Sequence, residues 1–154
     1  MRRIRFIIAF LFLGACIPAP TAEPTTTASA PYRITLEENA HAPRTGDLGM
    51  QIAGVTITSV NLSERFDFAP PRTVIGIIGY MPSVCNELRI DVNPPDKNYR
   101  VFVEVYSLIN PDIQCDNVFQ QFEASVLFGK YSSGRYTVWV NDDLVGDFVA
   151  YELP

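Results

Sequence analysis

From residue 48 onward, apolar and polar side chains alternate with a period of two, in short runs separated by turn-forming residues. This is the pattern of β-strands with one buried face. Residues 51–62 form a first such run, with Val55 and Ile57 on one side and Val60 and Leu62 near its end. Residues 73–80 are almost wholly apolar, which predicts a central strand covered on both faces. Leu88, Ile90 and Val92 alternate with Arg89 and Asp91, a strand with one wet face. Tyr99, Val101, Val103 and Val105 then alternate with Arg100, Phe102, Glu104 and Tyr106. Phe122, Ala124, Val126 and Phe128 make a further apolar face, and Tyr136, Val138 and Val140 the next, opposite Thr137 and Trp139. Residues 144–151 complete the set.

The breaks agree with the runs. Pro70-Pro71, Met81-Pro82-Ser83, Pro94-Pro95-Asp96, Asn110-Pro111-Asp112 and Ser132-Ser133-Gly134 all favour turns. Asn141-Asp142 suits a tight hairpin, because both residues tolerate positive φ better than most. No stretch of helical length sustains a 3.6-residue period. Seven short strands in about a hundred residues predict an all-β fold, an antiparallel β-sandwich of immunoglobulin-like type. A small β-barrel is the competing arrangement.

The N-terminal segment follows different rules. Arg2, Arg3 and Arg5 precede an apolar run over residues 6–13. That run suits export but is far shorter than the roughly 20 residues needed to span a bilayer. It ends in Leu13-Gly14-Ala15-Cys16, which resembles the lipobox of bacterial lipoproteins: an aliphatic residue, two small residues, then cysteine. The resemblance implies a signal peptide over residues 1–15, cleavage after Ala15, and acyl chains, palmitate among them, on Cys16. Two or more chains, at about 0.8 kcal/mol per buried methylene, anchor stably. Ile17 stands where an inner-membrane retention Asp is found in such proteins, which favours an outer membrane where the host has one, and the cell membrane otherwise. Residues 16–47 read as a flexible tether rich in Thr, Pro and Ala, with one strand-like piece at residues 32–36. The sandwich is then expected over residues 48–154.

Charge and composition narrow the partners. The full chain has 154 residues and a formal charge of −5. Without residues 1–15 it carries 9 Lys plus Arg against 17 Asp plus Glu, a balance of −8. Such a surface argues against nucleic acid and leaves membrane attachment to the acyl chains. Of three cysteines, Cys16 is consumed by lipid, so Cys85 and Cys115 pair by elimination in an exported setting. Free thiols or a metal site are disfavoured, as there is no CxxC and no nearby His.

A second resemblance lies in Gly79-Tyr80-Met81-Pro82-Ser83-Val84-Cys85, Cys115, Phe122-Glu123, Leu127 and Gly134-Arg135-Tyr136-Thr137-Val138-Trp139-Val140-Asn141. This order is similar to an Ig-like domain of exported bacterial proteins and implies a fold and a setting, with no functional residue carried over. Asp142 stands where such hairpins commonly carry Gly.

Candidate chemistry is sparse. His41, the single histidine, falls in the tether, where a base cannot be positioned. Asp142, Asp143 and Asp147 cluster near one hairpin but match no calcium loop. Glu87, Asp91 and Glu104 read as the wet face of a sheet. No phosphate loop or nucleophile elbow is present, so no catalytic residue, metal or cofactor is expected. Phe102, Tyr106, Trp139 and Tyr151 fall opposite the core-facing sets and predict an exposed aromatic patch for a protein or glycan. Two functions fit: a cell-envelope lipoprotein presenting a binding or structural domain, or an inhibitor of exported proteases acting through the 82–87 and 110–117 loops.

Overall fold

A computed structural model describes residues 39–152. The expected signal peptide, Cys16, the tether up to residue 38 and the strand-like residues 32–36 lie outside the described residues. Eight strands follow a short 3-10 turn at Thr45–Asp47: β1 (Gln51–Ala53), β2 (Thr56–Arg65), β3 (Arg72–Met81), β4 (Glu87–Val92), β5 (Arg100–Ile109), β6 (Gln120–Leu127), β7 (Gly134–Val140) and β8 (Asp143–Ala150). One sheet has the order β2-β3-β6. In the other, β5 is bonded to β1, β4 and β7, with β8 beyond β7. The two sheets form the expected β-sandwich, and the described residues include no α-helix.

The core is made by the predicted phases. Ile75, Ile77, Leu88, Ile90, Val101, Val103, Val105, Phe122, Ala124, Val126, Tyr136, Val138 and Val140 are buried between the sheets. Apolar area removed from water, at about 25 cal/mol per Å2, is the main favourable term here. At one end Tyr99, Phe128, Tyr131, Tyr136 and Phe148 pack ring on ring, with centroids 5.2–6.4 Å apart. At the other end Cys85 and Cys115 are bridged.

Four features depart from the sequence expectation. Residues 51–62 are not one strand: the chain breaks at Gly54-Val55, β1 pairs with β5, and β2 crosses to pair with β3. A bulge between Ile57 and Ser59 then puts Ile57, Val60 and Leu62 on one side despite their uneven spacing. The sandwich is not wholly antiparallel, since Arg100 to Val103 of β5 run parallel to Thr137 to Val140 of β7. β3 is central in its sheet, yet its outer face is only partly covered: Val74 and Ile78 are half-buried and Tyr80 is exposed.

The fourth departure concerns residues 39–47, which composition places in the tether. They are clasped onto β4. The buried Asn39 donates from Nδ2 to the Ile90 carbonyl at 2.8 Å, and the Ile90 N–H donates to the His41 carbonyl at 2.8 Å. Arg89, on the supposed wet face of β4, donates to both carboxylate oxygens of Asp47 at 2.8 and 2.6 Å and to Glu87 at 2.8 Å. Its side chain is 5% exposed. Residues 39–47 therefore belong to the folded domain, and His41 is held rather than loose.

The strand with most partners is β5. Its first half lies beside β7, its last three residues beside β1, and its other edge beside β4. Between β7 and β1 no strand among the described residues reaches residue 105. The side chain of Asn141 fills that gap: Oδ1 accepts the Val105 N–H at 2.8 Å and Nδ2 donates to the Val105 carbonyl at 2.9 Å. A carboxamide thus supplies the donor and acceptor that a neighbouring strand would have offered. Asn141 and Asp142 both have positive φ, 46° and 71°, as a two-residue hairpin of type I′ requires, and Asn is among the residues that adopt it most readily.

Two outcomes follow from these contacts. The Arg89 guanidinium holds the Asp47 carboxyl down to about 2 from 3.8, so its contribution is present above the unfolded value and lost as pH falls toward 2. Asp47→Asn is expected to lower unfolding free energy by about 1–3 kcal/mol at pH 7, because Arg89 keeps only Glu87 as an ionic partner. In denaturant titrations the gap between parent and variant closes as the pH is lowered from 5 toward 2. Asn141→Ala is expected to cost about 2–3 kcal/mol, from two lost hydrogen bonds and a left-handed backbone. Hydrogen exchange should then show the Val105 amide losing protection before its neighbours.

Candidate functional site

The gap between β1 and β7 has a surface consequence. With no strand of the described residues in that position, the outer face of the five-stranded sheet is hollowed into an open groove of about 650 Å3. Ile52 of β1 stands at one side and Trp139, Asn141 and Asp142 at the other. Phe102, Glu104 and Tyr106 of β5 project outward into it, and Asn93 flanks it.

Strand alternation explains why these side chains meet. In β5, Val101, Val103 and Val105 are buried, which turns Phe102, Glu104 and Tyr106 outward. In β7 the buried Val138 and Val140 do the same for Trp139. The parallel register sets Phe102 beside Trp139, and their ring centroids are 6.3 Å apart at an interplanar angle of 33°. All three aromatic side chains are half-buried. Trp139 Nε1 donates to Thr137 Oγ1, two residues back on the same face of β7, at 3.2 Å.

Three of the four predicted aromatic residues, Phe102, Tyr106 and Trp139, are therefore brought together. Tyr151 is not. It follows the end of β8 and lines a separate recess of about 30 Å3 with Pro70, Pro71 and Phe148. Asn93 and Ile52 gave no sequence signal. Glu104 and Asp142 were singled out for other chemistry, and their place in the groove follows from the same two-residue phase and from the hairpin.

The electrostatics of the face are negative. Glu104 and Asp142 line the groove, no lining residue among the described ones is basic, and the Arg100 that abuts Phe102 is paired with Asp96. Asp91 lies opposite Glu104 in the β4–β5 register. Burial, and then the charges of Asp91 and Asp47, push the Tyr106 hydroxyl above its usual pKa. Glu104 accepts one long hydrogen bond from Asn93 Nδ2 at 3.4 Å.

The other candidates do not assemble into reactive sites. Burial, with Arg44 and Arg89 nearby, pushes His41 below its usual pKa, and among the described residues its ring has no hydrogen bond to a carboxylate or hydroxyl. Asp147 is paired with Arg135 at 2.7 Å, apart from Asp142 at the hairpin tip. Among the described residues no three His, Cys, Asp or Glu side chains converge as metal ligands.

The disulfide end is a second distinct surface. Ser83 Oγ donates to Asn86 Oδ1 at 2.6 Å, Asn86 Nδ2 to Ser107 Oγ at 3.0 Å, and Ser107 Oγ to the Ala53 carbonyl at 3.1 Å. This chain of bonds lies beside the Cys85–Cys115 bridge and ties the β3–β4 turn to β5 and β1. The loops it steadies present Val84, Ile113, Val118 and Phe119 to solvent, Phe119 being 72% exposed.

No curated protein and no solved structure gave a significant match. Residues 75–150 match the family model of the ORF11 beta-sandwich domain, and this likeness runs from within β3 to the end of β8 and takes in every groove residue except Ile52.

Proposed function

We propose that this chain is a cell-envelope lipoprotein, anchored through acyl chains on Cys16, which presents its sandwich outside the cytoplasmic membrane as a binding module. In this reading the outer groove of the five-stranded sheet is the binding surface, the partner is a protein or polysaccharide of the envelope, and no catalytic step is involved. The observation that carries it is the placement of Phe102, Tyr106 and Trp139 on the solvent side of the sheet, where polar residues would normally lie. Large aromatic side chains gathered in one concavity are the usual anchors of a recognition surface. The lipobox-like Leu13-Gly14-Ala15-Cys16 supports the anchor.

Two measurements test this. Mass spectrometry of membrane-extracted protein is expected to find Cys16 as an acylated N-terminus, and an unmodified Cys16 overturns the anchor. A photo-crosslinking amino acid in place of Tyr106 is expected to give adducts in the intact envelope, where the same group in place of the exposed Ser125 on β6 gives none. Equal yields from both positions overturn the groove as the binding surface.

The exposed Val84, Ile113, Val118 and Phe119 on loops tied by Cys85–Cys115 favour a second reading, inhibition of exported proteases by preorganised end loops. It requires inhibition at micromolar protein that is lost in Phe119→Ala. A panel of exported proteases left fully active by the chain removes this reading.

A further inference from the structure

The groove is lined by two carboxylates, Glu104 and Asp142, and by aromatic walls, and together these select a ligand chemistry. Asp91 and Glu104 face each other across the antiparallel β4–β5 pair, an arrangement that costs stability between like charges. Among the described residues neither of them, nor Asp142, has an ion-pair partner. The nearby arginines already have carboxylate partners: Arg89 pairs with Asp47 and Glu87, and Arg100, beside Phe102, pairs with Asp96 at 2.7 Å. Beside the carboxylates lie the rings of Phe102, Tyr106 and Trp139, whose faces attract positive charge. The fold already uses one of them so, since the Arg100 guanidinium sits 5.3 Å from the centroid of Phe102. A neutral apolar ligand would desolvate Glu104 and Asp142 without replacing their hydrogen bonds, and an anion would be repelled.

We propose that the groove binds lysine or arginine side chains of an extended basic segment in a partner polypeptide. The charged head lies between the carboxylates of Glu104 and Asp142 and the face of Trp139, the Phe102 ring being already covered by Arg100. Its aliphatic stem runs over Ile52, which is 70% exposed, as long basic side chains do on apolar surface. A polypeptide fits better than a small amine because the groove is an open trough, which would leave most of a small amine in water. Asn93 stands at its side with an amide group suited to a peptide backbone. The proposal rests on the binding-module reading and names the partner of that same surface.

Trp139 is the single tryptophan, so its emission reports on the groove directly. The test uses the full-length chain in detergent. It is titrated with a tetralysine peptide, a tetraglutamate peptide and a neutral hexasaccharide of glucose. The expected result is a saturable change in emission with tetralysine and none with the other two. The affinity should fall several-fold as salt is raised from about 0.02 to about 0.3 M, since the screening length shortens. Glu104→Gln with Asp142→Asn should weaken binding by roughly tenfold. Its thermal midpoint should be no lower than that of the parent, because like charge is removed. Tetralysine binding that is unchanged in this variant overturns the proposal. So does emission that stays flat up to millimolar tetralysine. A hexasaccharide that saturates where tetralysine does not overturns the cationic partner and leaves the binding module standing. A flat response to all three probes, together with equal crosslinking from positions 106 and 125, overturns both.

Discussion

The fold turns on how one strand shares its edge. β5 is hydrogen-bonded to three others, and on one side β7 and β1 divide its length between them without meeting. A backbone left open in the middle of a sheet must find partners or bear the cost of desolvated N–H and C=O groups. Asn141 resolves this at Val105 with both ends of its carboxamide. The same residue turns the β7–β8 hairpin with a left-handed backbone. Closure of the sheet and direction of the last strand are therefore coupled through a single side chain. The hollow over this junction is the groove.

Much of this architecture was legible in the sequence, and what was not has a common physical cause. A two-residue period is local, so the inward sets of β5, β6 and β7 could be read directly, and with them the outward placement of Phe102, Tyr106 and Trp139. The readiness of Asn141-Asp142 for positive φ is local as well. Tyr151 was grouped with the other aromatics by phase, but phase says nothing of position along the sheet, and it lies past the end of β8. The division of residues 51–62 between two sheets is a tertiary event, marked in the sequence only by Gly54. The bond of Asn141 to Val105 spans 36 positions, beyond any local pattern. Residues 39–47 lack large apolar side chains, so a search for burial passes over them, and it is polar contacts that hold them in place.

The two ends of the sandwich differ in kind. One is closed by stacked rings, with Tyr136 and Phe148 parallel to within 14° and the Arg72 guanidinium donating to the Phe128 carbonyl. The other is held by a covalent bridge and a chain of short polar bonds beneath exposed apolar loops. Aromatic packing fixes a core, whereas the bridge steadies loops that carry little core of their own. The broad face between them is acidic and aromatic. Rigid support on both sides keeps that face in one shape, which lowers the ordering cost of any contact made there.

The clasp formed by residues 39–41 has a bearing on how copies of the chain treat one another. Without it β4 would end the five-stranded sheet as a bare edge, with Leu88, Ile90 and Val92 behind it. Such an edge is a template for pairing with any extended chain, including a second copy. The amide and carbonyl of Ile90, at the centre of that edge, are instead occupied by His41 and Asn39. A short polar lead-in that adds little to the core thus occupies the middle of an edge that would otherwise invite strand pairing.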